Sequence, residues 1–181
     1  MRIGIDLGGT KIEGVLVDPA GSVLYRNRIP TPRRPDAVEE YAGILDAVAD
    51  LIEQAGSQRP PSSSCTVGVG IPGAIDAETG LVQNANTTSL IGKPLQQDLE
   101  TRLERPVGME NDANCFTLAE SLQGAGRGYG LVFATRSVAP EIQTAHTYAR
   151  YHKVPLILRR GLAGVAIPAP YMKPRYSQVN M

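Results

Sequence analysis

Two short segments of this 181-residue sequence carry residue types that could do chemistry. In the first, residues 6–11 (DLGGTK), a glycine pair can turn tightly and present backbone N–H groups to phosphate oxygens with no Cβ in the way. The segment matches neither the GxxxxGK[ST] nor the GxGxxG motif, because a strand pattern follows where those motifs need a helix. Taken alone, such a pair is more often a plain hairpin turn. We expect Asp6, at the end of a buried strand, to require a metal, a bound water or hydrogen bonds.

The second segment, residues 110–114 (ENDAN), lies where a short strand pattern gives way to a helical one. Ligands of α/β proteins commonly bind at such carboxyl ends of strands. Asn111 or Asp112 could simply cap the helix, although four polar groups in five residues exceed what one cap requires. A carboxylate here could also accept a proton from an attacking hydroxyl. Residues 84–88 (NANTT) could bind a polyol, or could form an ordinary loop.

The elements before the middle of the chain predict a meander and a long helix. Residues 2–7, 12–17 and 23–29 have strand patterns separated by turn residues, which is typical of three antiparallel strands. Apolar residues then recur at helical spacing over residues 36–55, with an Asp36/Glu39 pair at capping-box spacing before them and Gly56 after them.

The later elements alternate between strand and helix. The apolar run 65–71 predicts a strand buried on both faces. A short helix over 94–103, a strand over 107–110 and a helix over 112–122 follow. This order predicts an α/β domain with a mixed sheet.

Composition limits the function classes. With 42% apolar and 20% charged residues, and no apolar run near the roughly 18 residues of a membrane helix, we expect a folded cytoplasmic protein without a membrane partner. Cys65 and Cys115 supply neither a disulfide framework nor a zinc ligand set. Residues 1–133 hold 11 basic and 17 acidic side chains, whereas residues 134–181 hold 7 and 1. The basic charges of the tail are scattered among prolines, which does not favour nucleic-acid binding.

Four segments together resemble the N-terminal half of a ROK family sugar kinase. They are IDLGGTKIEGVLVD, GVGIPGAID, NANTTSLIGKPL and ENDANCFTLAES, and the resemblance covers about residues 1–133. The third segment most resembles the bacterial fructokinase (manno(fructo)kinase) branch, with glucokinase and N-acetylhexosamine kinase branches as alternatives. The resemblance implies a ribonuclease H-like (actin-type ATPase) fold in two lobes, and homodimers among full-length relatives.

The resemblance also implies roles for individual residues. It assigns ATP phosphate binding to Gly8, Gly9, Thr10 and Lys11, magnesium binding through water to Asp6, and the catalytic base to Asp112. It assigns sugar binding to Gly73, Asn86, Thr88, Asn111 and Asp112. The implied reaction is ATP-dependent phosphorylation of the 6-hydroxyl of a hexose, with fructose or mannose favoured.

The resemblance stops after Phe133. The family would continue with a second glycine-rich phosphate loop, a Glu-x-x-His sugar contact and a zinc site, and the sequence from Ala134 onward matches none of these. We therefore expect residues 134–181 to be a weakly structured tail produced by a frameshift or rearrangement, with a genuine alternative C-terminus as the other explanation. We expect the 181 residues alone to have little or no kinase activity. A sugar-responsive ROK transcriptional regulator is the alternative of another class. Such regulators carry a helix-turn-helix before the DLGGT motif, which here lies close to Met1.

Overall fold

A computed structural model describes residues 1–61, 63–124, 127, 131–136, 156–159 and 162–167. The chain divides into two compact units, Met1–Asp112 and Ala113–Met181. The strands are β1 (Arg2–Leu7), β2 (Lys11–Val17), β3 (Val23–Pro30), β4 (Thr66–Ile71), β5 (Ala74–Ile75), β6 (Val82–Gln83), β7 (Gly108–Asn111), β8 (Leu131–Arg136), β9 (Leu156–Arg159) and β10 (Leu162–Ile167). The helices are α1 (Ala37–Ser57), α2 (Leu95–Leu103) and α3 (Asp112–Leu122).

The first unit is built on a five-stranded mixed sheet with the strand order β3-β2-β1-β4-β7. β1, β2 and β3 form the expected antiparallel meander. β1 pairs in parallel with β4, and β4 pairs in parallel with β7. Because these three strands run in the same direction, their carboxyl ends lie at one edge of the sheet. The predicted α/β class is confirmed.

Helix α1 packs against β1 and β2 and supplies much of the core. Its buried residues follow a helical period: Glu40, Tyr41, Ile44, Val48, Ala49, Leu51, Ile52 and Ala55. Asp36 caps the helix as predicted, because its carboxylate accepts hydrogen bonds from the N–H groups of Val38 (2.8 Å) and Glu39 (2.9 Å). The predicted stop at Gly56 is wrong by one residue, since α1 runs through Ser57.

Two expectations about burial are wrong. Asp6 is exposed, because β1 alternates its side chains and buries those of Ile5 and Leu7 instead. β4 is not buried on both faces along its length, since Thr66 and Gly68 are exposed. A glycine presents no side chain to bury, so an uninterrupted apolar run that contains glycines does not establish burial on both faces.

Between β4 and α2 the chain forms small elements that the sequence patterns do not predict. β5 and β6 make an antiparallel hairpin, and Thr88–Leu90 form a single 3₁₀ turn. The Asp76 carboxylate organises the hairpin by accepting hydrogen bonds from the N–H groups of Glu78 (3.1 Å) and Thr79 (2.8 Å). These elements place residues 84–89 after the hairpin, within the first unit.

In the second unit, β8, β10 and β9 form an antiparallel sheet in that order. β8 runs across Phe133, where the family resemblance stops. Most of residues 134–181 lie outside the described residues, so the weakly structured, rearranged tail stays a prediction. Within the described part of the chain, no helix is both long enough and apolar enough to span a membrane.

Candidate functional site

The parallel strands bring the predicted site residues to one edge of the sheet. In the pairing register, Asp6 of β1 lies opposite Gly70 of β4, and Gly70 lies opposite Glu110 of β7. One residue further along, Ile71 lies opposite Asn111. The β1–β2 turn, the β4–β5 connection and the start of α3 therefore leave the sheet side by side.

The β1–β2 turn is held by hydrogen bonds to its carbonyl groups. The N–H of Gly8 bonds to the carbonyl of Lys11 (3.0 Å), and a Cβ added at Gly8 would lie 2.9 Å from that oxygen. The Thr31 hydroxyl donates to the Gly8 carbonyl (2.7 Å), and the Arg33 guanidinium donates to the Gly9 carbonyl. In a trans peptide the N–H points opposite to the preceding C=O. These contacts therefore direct the N–H groups of Gly9 and Thr10 away from Thr31 and Arg33.

Gly9 is not required by packing. A Cβ added there would make only ordinary contacts, at 3.6 Å from Nη2 of Arg33 and 3.7 Å from Oγ1 of Thr87. Its φ angle also lies outside the left-handed region. A glycine that the fold does not need, beside oriented N–H groups, is the feature expected where a ligand approaches the backbone closely.

Negative charge accumulates at this edge. The pKa of Asp6 is raised, first because surrounding protein displaces water from its carboxylate, and then because Asp112 and Glu13 are negatively charged. Lys11 and Arg28 oppose this rise but do not cancel it. Asp6 faces solvent on one side, so its excess negative charge is accessible to a cation.

Glu13 lies opposite Asp6 in the β1–β2 register and has cationic partners of its own. It forms ion pairs with Arg26 (2.5 Å) and Arg28. Burial by itself would raise the pKa of Glu13, but its hydrogen bonds with Arg28 and Arg26 outweigh that effect and lower the pKa. Arg28 is therefore already engaged, which leaves Asp6 less compensated.

The predicted sugar-binding residues are connected through the β4–β5 segment. The Asn111 side-chain amide donates to the Gly73 carbonyl (2.7 Å), and the Asn86 N–H donates to the Pro72 carbonyl (3.2 Å). A Cβ at Gly73 would lie 2.8 Å from the carbonyl oxygen of Gln83, so only glycine fits this close approach. Asn86 and Thr88 are exposed, and Asn111 is half-buried.

Asp112 is the first residue of α3 and is half-buried. It follows Asn111, the last residue of β7, and it lies near enough to Asp6 to raise the pKa of that group. Among the predicted residues, the structure thus brings together Asp6, Gly73, Asn111 and Asp112 at the strand ends.

Sequence reasoning missed the side chains that support the β1–β2 turn. They are Thr31 and Arg33, which bond to its carbonyls, and Glu40 and Ser89, which are linked to it through Arg33. Glu40 carried a usable signal, because it is a charged residue at a buried position of the helical period of α1. Thr31 and Arg33 lie in an irregular segment after β3, where no sequence pattern indicates their role.

A cavity of about 450 Å³ lies elsewhere, beside the C-terminal ends of α1 and α2. It is lined by Ile52, Glu53, Gly56, Ser57, Arg59, Arg102, Leu103, Glu104 and Arg105. No predicted site residue lines it. The chemistry predicted for the strand ends therefore does not depend on this cavity.

Comparison with known proteins identifies the family. The family model described as "ROK family" matches residues 2–136. The chain belongs to the ROK family. It is 38% identical over 152 residues to the N-acetyl-D-glucosamine kinase of Escherichia coli O6:H1 (strain CFT073), a match that covers 76% of this chain and 48% of that protein.

Solved structures agree with this assignment. A ROK family glucokinase from Streptomyces griseus, solved with glucose and AMPPNP, is 27% identical with a TM-score of 0.63, and the match covers 92% of this chain and 44% of that one. The inorganic polyphosphate/ATP-glucomannokinase from Arthrobacter sp. strain KM is 35% identical with a TM-score of 0.61, covering 74% of this chain and 52% of that one. These neighbours confirm the predicted actin-type ATPase fold class. The chain spans about half the length of the curated relatives it matches.

The residues of this ROK chain fit a nucleotide with a divalent cation. The oriented N–H groups of Gly9 and Thr10 suit phosphate oxygens, and the charge of Asp6, which Lys11 and Arg28 compensate only in part, suits a cation. Among the described residues, no group of three or more His, Cys, Asp or Glu side chains is placed to hold a metal ion. Mg²⁺ commonly keeps several waters and binds through one or two carboxylates together with substrate phosphates, so Asp6 is the residue that would hold it here.

Proposed function

We propose that residues 1–133 form the sugar- and phosphate-binding half of an ATP-dependent hexose kinase. The gathering of Asp6, the β1–β2 turn, Gly73 and Asn111–Asp112 at one edge of the sheet carries this proposal. The names of the relatives support it, because they are kinases of N-acetyl-D-glucosamine, glucose or a related hexose. The S. griseus glucokinase was solved with AMPPNP, which supports ATP as the phosphate donor.

In the proposed reaction, Asp112 accepts the proton of the sugar's 6-hydroxyl as that oxygen attacks the γ-phosphorus of ATP. Gly73, Asn86, Thr88 and Asn111 bind and orient the sugar, so that the hydroxyl faces Asp112. Gly8, Gly9, Thr10 and Lys11 bind phosphate, and Asp6 would hold the metal through water. Bound ATP with Mg²⁺ would supply the phosphoryl group, neutralise its charge and leave as Mg·ADP.

The proposal also concerns which hexose is the substrate. The motif over residues 84–95 favours fructose or mannose, whereas the names of the relatives favour N-acetyl-D-glucosamine, glucose or mannose. The fructokinase assignment therefore stays a prediction. Comparing the affinities of the protein for fructose, mannose, glucose and N-acetyl-D-glucosamine would identify the preferred hexose directly.

The test is calorimetric titration of the 181-residue protein with Mg·AMPPNP and, separately, with fructose, mannose, glucose and N-acetyl-D-glucosamine. We expect saturable binding of the nucleotide and of at least one sugar. Asn86→Ala should remove sugar binding, whereas Asn27→Ala, a change in β3 at a residue whose side-chain amide donates to Gln54 of α1, should leave it intact. A well-folded protein that binds none of the four sugars would contradict the proposal.

A further inference from the structure

The β1–β2 turn and the segment after β6 are joined by a chain of polar side chains. Arg33 donates from one guanidinium nitrogen to the Gly9 carbonyl and from another to Oε1 of Glu40 (3.0 Å). The same Oε1 accepts a hydrogen bond from the Ser89 hydroxyl (2.9 Å). Three contacts therefore connect the Gly9 peptide to the 3₁₀ turn that contains Thr88 and Ser89.

Glu40 is well placed to hold this connection. It is buried with 9% of its surface exposed, and its second oxygen accepts a hydrogen bond from the N–H of Arg34 (3.1 Å). The hydrogen bonds from Arg34 and Ser89, followed by Arg33, lower the pKa of Glu40. The carboxylate is therefore ionised at neutral pH, and a planar guanidinium can bond to it and to a carbonyl at the same time.

Thr87, in the segment after β6, also lies near the backbone of Gly9. Thr87 is fully buried, and its Oγ1 lies 3.7 Å from the position that a Cβ on Gly9 would occupy. This hydroxyl has no hydrogen-bond partner within the described part of the chain. A buried hydroxyl without a partner is destabilising. The two segments thus lie near each other at Gly9, and one polar atom there has no partner among the described residues.

We propose that Arg33, Glu40 and Ser89 are positioning residues that set the orientation of the Gly9–Thr10 peptide according to the position of the sugar-binding segment. This inference rests on the proposed function, in which that peptide binds phosphate and residues 86 and 88 bind sugar. Because Arg33 holds the Gly9 carbonyl, it fixes the direction of the Thr10 N–H. A shift of the 3₁₀ turn moves Ser89, and Glu40 and Arg33 transmit the shift to that N–H. Occupation of the sugar site then changes the affinity for phosphate, and the converse holds by linkage.

The first arm of the test needs no ligand. Hydrogen exchange of the Gly8 amide, whose bond to the Lys11 carbonyl (3.0 Å) closes the turn, is followed by NMR in the wild-type 181-residue protein and in Arg33→Met and Ser89→Ala. We expect exchange to be about tenfold faster in both variants, because each breaks the connection that holds the peptide. Both changes preserve most of the side-chain volume, and Arg33 is 54% exposed, so folding should survive.

The matched control is Arg102→Met. Arg102 is similarly exposed at 48% and also forms an ion pair, with Asp46 (3.2 Å), but it does not contact the turn. This variant should leave Gly8 exchange unchanged. In the double variant Arg33→Met/Ser89→Ala, the effects should not add, because both act through Glu40. Unchanged exchange in Arg33→Met, or a change in Arg33→Met but not in Ser89→Ala, would overturn the proposal.

The second arm uses Mg²⁺ with inorganic tripolyphosphate as the probe and follows the Thr10 amide shift. We expect both variants to bind the probe about tenfold more weakly than the wild type, with Arg102→Met unaffected. Failure of the wild type to bind would count against the proposed phosphate role of the turn, while the exchange data would still decide whether the connection exists. Normal binding in both variants, despite faster exchange, would overturn the positioning role.

Discussion

The meander contains two hairpin turns that are held in opposite ways. In the β2–β3 turn, the Asp18 carboxylate accepts a hydrogen bond from the Ser22 N–H (2.8 Å), and the backbones of Asp18, Gly21 and Ser22 bond to one another. Every partner lies within four residues. In the β1–β2 turn, the carbonyls of Gly8 and Gly9 are held by Thr31 and Arg33, 23 and 24 residues away.

The glycines of the two turns also serve different purposes. Gly21 has a φ of +93°, a conformation that favours glycine, although nothing lies within 4 Å of where its Cβ would be. Gly9 has neither a positive φ nor a steric clash to require glycine. The β2–β3 turn therefore needs its glycine for its shape, whereas we infer that the β1–β2 turn needs Gly9 for close approach to a ligand.

The aspartates differ in the same sense. Hydrogen bonds from the Ser22 backbone and its neighbours lower the pKa of Asp18. The pKa of Asp6 is raised by loss of water and by Asp112 and Glu13. The β2–β3 turn forms its hydrogen bonds among its own residues. The β1–β2 turn is held by distant residues, so its N–H groups and the negative charge of Asp6 remain available to a ligand.

The largest expected difference between the β2–β3 turn and the strand ends beside the β1–β2 turn is in turnover. The measurement uses a chimaera in which residues 1–133 are joined to the C-terminal half of the S. griseus glucokinase, selected for sugar-dependent turnover before any substitution is made. Asp112→Asn should lower kcat by about 10² to 10⁴, because the amide cannot accept the proton, while sugar binding is kept. Asp18→Asn makes the same chemical change in the β2–β3 turn and should leave kcat unaltered. If Asp112→Asn lowers kcat by less than tenfold, Asp112 is not the catalytic base and acts only as a helix cap.

The next largest effect separates binding from stability. Gly9→Val should weaken Mg·AMPPNP binding by more than tenfold with little change in thermal midpoint, because the side chain blocks the approach to the turn. Gly21→Ala should do the reverse, costing about 1 kcal/mol for a non-glycine residue at positive φ with no change in binding. Calorimetry and thermal denaturation of both variants measure the two quantities. If Gly9→Val binds nucleotide normally, the two turns do not differ in function.

Removing the long-range support should have a moderate effect. Thr31→Val leaves the Gly8 carbonyl without its hydroxyl partner and should reduce stability by about 1 kcal/mol. Thr101→Val is the matched control, because the Thr101 hydroxyl also donates to a carbonyl (2.8 Å) but is exposed. Urea denaturation should show a smaller loss for the control. Equal losses of stability in the two variants would mean that the bond from Thr31 to Gly8 contributes no more than an exposed hydroxyl bond.

The smallest effect distinguishes the two aspartates by sign. The raised pKa of Asp6 means that the native state binds its proton more tightly than the unfolded state does, so ionised Asp6 reduces stability above that pKa. Asp6→Asn should therefore raise the thermal midpoint at pH 7 by about 1 °C, and this gain should disappear in acid. A lowered pKa has the opposite consequence, because ionised Asp18 contributes stability at neutral pH that is lost as pH falls through its folded pKa. Asp18→Asn should therefore lower the midpoint at pH 7. Shifts of the same sign in both variants would contradict the comparison.

Local patterns in the sequence were sufficient for the elements and for the family. The meander, the Asp36 cap and the α/β order depend on residues close together in the chain, where periodicity and capping act directly. The motifs at residues 6–11 and 110–114 likewise named the candidate site residues, because each lies where a strand ends. The small β5–β6 hairpin escaped prediction, since its strands have only two residues each.

Only the tertiary structure decided which groups compensate one another at the strand ends. The exposure of Asp6 depends on the alternation of β1 within the sheet, and its raised pKa depends on Asp112, which is distant in sequence. The bonds of Arg33 to Gly9 and Glu40, and of Ser89 to Glu40, join segments up to 49 residues apart. Electrostatic and hydrogen-bond energies depend on distances between atoms in space, and a sequence pattern reports only distances along the chain.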